Sequence, residues 1–349
     1  MTINISAVGL TQLAEDILHS AGFSRSTAQE VALHLVDAEA AGVASHGINR
    51  VAYYLSVLDK GLVSASGEPT LIEKTKVAAL VDGRKGIGIP AANLAVRHLI
   101  ETANLHGVAL AGIVNCGHTG RLGAYSEIAA RAGCVLLSFG GAGRHQYPCV
   151  VPFGAREPFF STNPFSLGAP GGDHAPAVMD VATSIVAGGK VALAKAKGEL
   201  VPKGQIVDKH GDPTTDPQDF IDGGALLPFG GVKGSSLGLM IELITTAMMG
   251  VAFEFNWLFV AVKADVFRSN TSYDLDANAV VSDLHKLQPA PGFDVVRMPG
   301  ELEAERMATA QSAGLVIPEG VWAGLATSAR RYDIDLTPYL QNWDAGTSQ

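Results

Sequence analysis

The sequence is short of cysteine, of charge and of long apolar runs, and each shortage excludes something. Its 349 residues hold 3 cysteines, Cys116, Cys134 and Cys149. That odd number, without C-x-x-C or zinc-type spacing, points to a reducing cytoplasm and to no metal site. Charged residues make up 17% of the chain, with Lys plus Arg 25 against Asp plus Glu 34 and a formal net charge of -9. An acidic balance without a basic run repels a phosphate backbone, so nucleic acid is not an expected partner. Apolar stretches such as 108–114 and 258–262 fall far short of the roughly 20 residues that cross a bilayer. No basic stretch leads into an apolar one at the N-terminus, so no signal peptide is expected. A Walker A loop and H-E-x-x-H are missing too, which removes P-loop hydrolases and zinc proteases of that type.

What is present is core and glycine. Apolar residues are 47% of the chain and mean hydropathy is +0.22, the profile of a compact protein with one large or two ordinary domains. Glycine numbers 40, well above the usual share of about 7%. Such an excess marks many tight turns or places where backbone approaches a ligand.

Residues 6–60 read as helices. Leu10, Leu13, Ile17 and Leu18 keep helical spacing with Gly22 beyond them, and Ser26-Thr27-Ala28-Gln29 reads as a capping box before Val31, Leu35 and Ala38. A third helix is predicted over 48–58. From about residue 75 short β-type runs alternate with glycine-rich turns: strands are predicted at 76–81, 108–115, 134–139, 177–181 and 258–262, helices at 89–105, 124–132, 235–249 and 276–287. Residues 204–228 read as ordered loop with a turn at Asp208 to Pro213, and 302–312 and 318–331 as helix. The expected organisation is α/β (α+β): a helical part over 1–70 with 302–349 packing back on it, and a large α/β part over 71–301.

Two familiar motifs fail on context. Gly86-Ile87-Gly88-Ile89-Pro90-Ala91 lacks the acid about 20 residues on that a doubly wound dinucleotide fold supplies. Gly234-Ser235-Ser236-Leu237-Gly238 follows a loop instead of the strand that a nucleophile elbow needs. Three segments carry chemistry. Ser45-His46-Gly47-Ile48-Asn49-Arg50 puts an imidazole and a guanidinium on one face if a helix starts near Ser45; together they bind a carboxylate and exchange a proton. The competing reading is a serine cap with incidental polar neighbours. Gly117-His118-Thr119-Gly120-Arg121-Leu122-Gly123 joins a strand to a helix, a place where free N–H groups suit a phosphate, though the glycines could be steric alone. Pro228-Phe229-Gly230-Gly231-Val232-Lys233-Gly234 repeats that arrangement before a nearly uncharged helix carrying Glu242. A buried apolar helix led by a flexible loop is the plainer reading there. Two such turns in one acidic chain point to an anionic cofactor.

In their order along the chain these residues resemble the malate/L-lactate dehydrogenase family of the second type. The likeness spans nearly the whole sequence: Ser45-His46-Gly47 with Arg50, Gly117-His118-Thr119-Gly120, Val151-Pro152-Phe153-Gly154, Thr162-Asn163-Pro164, Asp180-Val181-Ala182-Thr183-Ser184, 211–216, Lys233-Gly234 and Pro299-Gly300-Glu301. The resemblance implies a non-Rossmann NAD(P)-binding domain around a mainly antiparallel sheet, a homodimer, and hydride transfer between nicotinamide and a 2-hydroxy/2-oxo acid. It implies that Arg50 holds the substrate carboxylate, that Thr162 touches substrate, and that His46, helped by Ser45, exchanges the proton. In the ureidoglycolate branch the histidine matching His118 takes that role; His46 is favoured because Arg50 neighbours it. Thr119, Gly120, Arg121 and Leu122, Asp180, Val181 and Ala182, Lys233, and Pro299, Gly300 and Glu301 match cofactor positions. The run from Asp222 to Gly231 is instead like cyclic-imine reductases, which carry an Asp where this chain has Lys190. Reduction of Δ1-piperideine-2-carboxylate or Δ1-pyrroline-2-carboxylate is therefore the alternative activity. A silent ligand-binding protein, or a pyridoxal-phosphate lyase using Lys233 or Lys190, are the rivals from other classes.

Overall fold

The computed structural model describes residues 2–341; the end of the segment expected to pack back, 342–349, lies outside the described residues. The chain opens with β1 (Thr2–Ile5), α1 (Ala7–Ser20), α2 (Arg25–Ala40), a 3-10 turn (Ala44–His46) and α3 (Arg50–Asp59). Next come β2 (Thr70–Glu73), β3 (Ala78–Asp82), α4 (Gly88–His106), β4 (Val108–Cys116), α5 (Leu122–Arg131), β5 (Cys134–Gly141), β6 (Phe165–Ala169) and β7 (Ala177–Val181). A smaller group follows: α6 (Gly188–Lys197), β8 (Ile206–Val207), β9 (Pro213–Thr214), α7 (Pro217–Ile221) and β10 (Ala225–Leu226). The rest is α8 (Val232–Met249), β11 (Phe255–Lys263), α9 (Asn270–His285), α10 (Glu301–Ala313), β12 (Leu315–Pro318), α11 (Glu319–Arg330) and α12 (Thr337–Gln341).

The main sheet has the order β2-β3-β4-β11-β5-β6-β7. Only β3 and β4 pair in parallel; the other five pairings are antiparallel. This is the mainly antiparallel α/β architecture expected, not a doubly wound sheet. One face, with Ala109, Ala111, Ile113, Leu136, Phe259 and Ala261, is buried under α4 and α5 through Ala92, Ala95, Leu99, Tyr125 and Ala129. The many alanines let the helices lie close to the sheet. A second apolar cluster joins Leu10, Leu13, Ile17, Val31, Leu35 and Val51 of the first helices to Leu315, Ile317, Leu325 and Ala329. Pairing of β1 with β12, from Thr2 opposite Pro318 to Ile5 opposite Leu315, closes that layer.

Several local expectations need correction. The cap of α2 is Ser24, whose Oγ accepts from Thr27 N at 3.2 Å, so the helix starts before Ser26 and no capping box forms there. The third helix does not run back to residue 48: Gly47 is extended, and Glu39 Oε2 lies against it and accepts from Ile48 N at 3.0 Å. Ser45 and His46 therefore sit in a separate turn, and no common helix face joins His46 to Arg50. The 204–228 stretch is not plain loop but contains β8, β9, α7 and β10. Within it the Asp208 turn is present, with Asp208 Oδ1 accepting from His210 N at 2.8 Å and Asp212 N at 2.9 Å.

Candidate active site

The break before α3 builds the site. Because the chain turns at 44–46 and restarts at Arg50, the guanidinium folds back and its Nε donates to Ser45 O at 2.7 Å. Ser45 Oγ lies 3.0 Å from His46 Nδ1. The His46 ring stacks on His118, with centroids 5.4 Å apart and planes at 23°. Structure thus gathers Ser45, His46, Arg50 and His118 into one cluster, by a 3-10 turn instead of helical spacing.

The two imidazoles differ in what their nitrogens meet. His118 Nδ1 takes the Gly120 backbone N–H at 3.2 Å and lies 2.9 Å from Tyr54 Oη. A backbone N–H can only donate, so Nδ1 is the acceptor and the His118 proton sits on Nε2. His46 Nδ1 faces a hydroxyl, which can donate or accept, so either tautomer and the imidazolium can be served. Burial first, then Arg50, hold His46 down at about 4 and His118 well below its ordinary range. Both are neutral at pH 7. Glu254 is pushed the other way, up to about 7, by burial that outweighs Arg50 and the His118 backbone N–H.

Of the expected cofactor positions, Asp180 and Val181 lie at the end of β7 and Pro299 and Gly300 beside it. Val178 N donates to Pro299 O at 2.9 Å, and Gly300 stands against Val178 and Pro176. Asp180 Oδ2 accepts from Gly123 N at 2.6 Å, which leaves Oδ1 for an outside donor. Asp180 and Val181 are exposed and Ala182 half-buried. At the far end Thr183 N and Oγ1 both donate to Thr162 O at 2.9 Å, and Phe229 N donates to Thr183 O at 3.0 Å, beside the start of α8 and exposed Lys233. Glu301 Oε2 caps Met298 N at 2.8 Å, and its Oε1 lies 2.7 Å from His285 Nε2. Thr119 and Leu122 are buried. Arg121 is buried as well, its Nη2 paired with Asp37 at 2.8 Å and Glu127 at 3.3 Å, so its charge is neutralised inside the protein. Gly120 has φ +75, and a side chain there would run into the His34 ring, which itself accepts from Arg121 N at 2.8 Å. Lys190 is exposed on the first turn of α6, and among the described residues no hydrogen bond or ion pair joins it to Ser45 or His46.

A profile of the family described as malate/L-lactate dehydrogenase matches residues 5–326. The chain belongs to this family. It is 33% identical over 342 residues to ureidoglycolate dehydrogenase (NAD(+)) of Escherichia coli (strain K12), covering 94% of this chain and 96% of that one. It is 33% identical over 346 residues to an L-lactate dehydrogenase of Cupriavidus necator, covering 95% and 99%. Among solved structures, the Δ1-piperideine-2-carboxylate reductase of Pseudomonas syringae superposes with TM-score 0.85 at 33% identity, covering 93% of this chain and 99% of that chain.

Family membership makes the chain an oxidoreductase. Tyr54 lies among the apolar Val51, Leu55 and Leu58 of α3, a pattern that marks packing, yet its hydroxyl meets His118. Glu254, between α8 and β11, carries no local motif; a side chain on Gly117 would come 3.6 Å from its Oε2. His34, Asp37 and Glu127 brace the 117–123 turn from α2 and α5.

Proposed function

We propose that the chain is an NAD(P)-dependent dehydrogenase of a small 2-hydroxy/2-oxo carboxylic acid, with His46 as the proton-exchanging group. The observation that carries this is the unequal bonding of the two stacked imidazoles. With Nδ1 fixed as an acceptor by Gly120 N–H, His118 serves as a neutral donor through Nε2. With Nδ1 on the Ser45 hydroxyl, His46 can cycle between imidazole and imidazolium. Arg50, its Nε held by Ser45 O, keeps both terminal nitrogens for two-point binding of a carboxylate.

Two of the expected cofactor residues fit a dinucleotide: Asp180 at the end of β7 offers an oxygen to a ribose hydroxyl, and exposed Lys233 stands on the first turn of α8, where positive charge suits a phosphate. When bound, nicotinamide supplies or accepts the hydride at the carbon beside the carboxylate. In oxidation His46 takes the hydroxyl proton, and neutral imidazole at pH 7 is the form required. In reduction His46 must first gain a proton. A substrate carboxylate on Arg50 cancels the cation that helps hold His46 at about 4, so its affinity for a proton rises when substrate is in place. We assign Thr162 to the substrate and Pro299 to Glu301 to the cofactor, as the family resemblance implies.

The test is His46→Asn and His118→Asn, each assayed for turnover and for cofactor affinity by NAD(P)H fluorescence. We expect His46→Asn to lose at least roughly 100-fold in kcat with cofactor binding kept. Near-normal turnover in His46→Asn, with loss in His118→Asn, would reverse the assignment. A substrate panel of pyruvate, oxaloacetate, 2-oxoglutarate and Δ1-piperideine-2-carboxylate with either cofactor then separates acid from imine. The imine reading draws on the Asp222 to Gly231 run; Lys190, a cation where imine reductases carry Asp, favours the hydroxy acid.

A homodimer is also proposed. The outer side of α8 exposes Leu239, Met240, Leu243 and Met248, the last to 68%, and a helix apolar all round is one covered by something. The chain's 17085 Å² of surface exceeds the about 13,400 Å² expected of a monomer of 36.2 kDa. Leu243→Arg should shift the mass measured by light scattering from dimer to monomer; an unchanged mass with wild-type protein monomeric would end the idea. Three unpaired cysteines support a cytoplasmic location, and no helix among the described residues is long and apolar enough to cross a membrane.

A further inference from the structure

Glu242 is a carboxylate buried to 2% exposure in the middle of the apolar helix α8. Burying a charge there is unfavourable unless the site needs its bonds. Its Oε2 accepts from Ala142 N at 3.0 Å and from Asn163 Nδ2 at 2.9 Å. Its Oε1 lies 3.4 Å from Thr246 Oγ1 and 3.5 Å from Arg144 Nη1, whose guanidinium stands 5.6 Å over the Phe159 ring. The two residues bound by Oε2 share an unusual property: Ala142 has φ +64 and Asn163 φ +37, left-handed conformations that side chains rarely adopt. Non-glycine residues stay in such conformations only when their surroundings hold them there.

Asn163 adjoins Thr162 in the chain, and Ala142 follows Gly141, the last residue of β5, which stands against the Asn163 amide. The Thr162 carbonyl in turn anchors Thr183 at the end of β7. Ser161 Oγ donates to Asn163 Oδ1 at 3.3 Å. Gly140 N donates to Pro164 O at 2.9 Å, which pins the same segment to the end of β5.

We propose that Glu242 is a positioning residue for the substrate: by holding Asn163 and Ala142 in left-handed conformations it fixes the direction in which Thr162 meets the bound carboxylic acid. The inference rests on the reading of Thr162 as a substrate contact. It extends the site into a helix whose other side is the surface assigned to the second copy.

The experiment compares Thr162→Val, Glu242→Leu, Glu242→Gln and the Thr162→Val/Glu242→Leu double variant in steady-state kinetics, with NAD(P)H affinity and melting temperature followed alongside. Thr162→Val is expected to lower kcat/KM about tenfold, the scale of one lost hydrogen bond to a charged group. Glu242→Leu should lower it by up to the same factor, through KM, with NAD(P)H affinity unchanged. Glu242→Gln keeps a carbonyl acceptor for the two donors and should restore kcat/KM to within roughly threefold of wild type. In the double variant the loss should stay near that of the single ones, because both act through Thr162. Additive losses, or a wild-type kcat/KM in Glu242→Leu while Thr162→Val is impaired, would overturn the proposal. An unimpaired Thr162→Val would instead remove the reading of Thr162 itself. If Glu242→Leu does not fold, Asn163→Gly removes the amide yet permits the left-handed backbone. It is expected to show the same rise in KM, and a wild-type KM there overturns the proposal equally.

Discussion

Arg50 and Tyr54 stand one helical turn apart at the start of α3 and act on different parts of the site. Lysine in place of Arg50 keeps the charge but loses the planar fork and the Nε–H that Ser45 O receives. Arg50→Lys is expected to raise KM for the carboxylate substrate about 10- to 100-fold, with a smaller change in kcat. Tyr54→Phe removes one partner of His118 Nδ1 and leaves the Gly120 N–H in place, so kcat should fall about fivefold, the scale of one neutral hydrogen bond. Steady-state kinetics reads both; an unchanged KM in Arg50→Lys would move the carboxylate elsewhere. At this scale the sequence was legible where chemistry is contiguous. Ser45, His46 and Arg50 lie within six residues and bond to one another. Glu254 and Tyr54 were hidden, because one reaches His118 from a distant loop and the other shares its helix side with Val51 and Leu55, which made it look like packing.

At the scale of elements, caps and small residues decided where reading from periodicity succeeded. Ser24→Ala is expected to destabilise the protein by about 1 kcal/mol and Ser26→Ala by well under that, since only Ser24 Oγ accepts from the Thr27 N–H. Urea denaturation distinguishes the two, and equal losses would contradict the cap. Long regular elements such as α4, β4 and β11 were readable because burial imposes a clear period on them. The strand β6 was not. Its Ser166 and Gly168 are small because α5 presses on it: Ser166 Oγ lies 2.7 Å from Ser126 Oγ, and Gly168 abuts the Ser126 backbone. The pairs β8, β9 and β10 are two residues each, too short to carry any alternation. Helix α9 starts at Asn270, ahead of the expected 276, because Ser269 Oγ accepts from Ser272 N at 3.3 Å.

The whole molecule carries a pH signature from its buried imidazoles. Burial first, then neighbouring cations, hold His34 at about 3 and His46 at about 4, with His118 well below 6.5. Below pH 6.5 the unfolded chain binds the protons these groups refuse, so stability falls as pH drops. Glu254, raised from 4.5 to about 7, opposes this: its contribution is full below 4.5 and lost as pH rises through 7. Burial also raises Asp37, Glu39 and Asp180, which act in the direction of Glu254, but these start from the carboxylate values of 3.8 and 4.5. Between pH 5 and 7.5 the three imidazoles outweigh the carboxylates and leave a net decline on acidification, at about 1.4 kcal/mol per pH unit for each net proton. Urea midpoints should therefore be lower at pH 5 than at pH 7.5, and a flat profile would show that the imidazoles charge freely in the folded state. Another whole-molecule property follows from the pairing of β1 with β12 and the cluster that spans Leu10 to Ala329. A ribosome releases α1 and α2 long before β12 and α11, the strand and helix that close their apolar layer. The part of the chain that carries Ser45, His46 and Arg50 thus waits for β12 and α11 before its layer is complete.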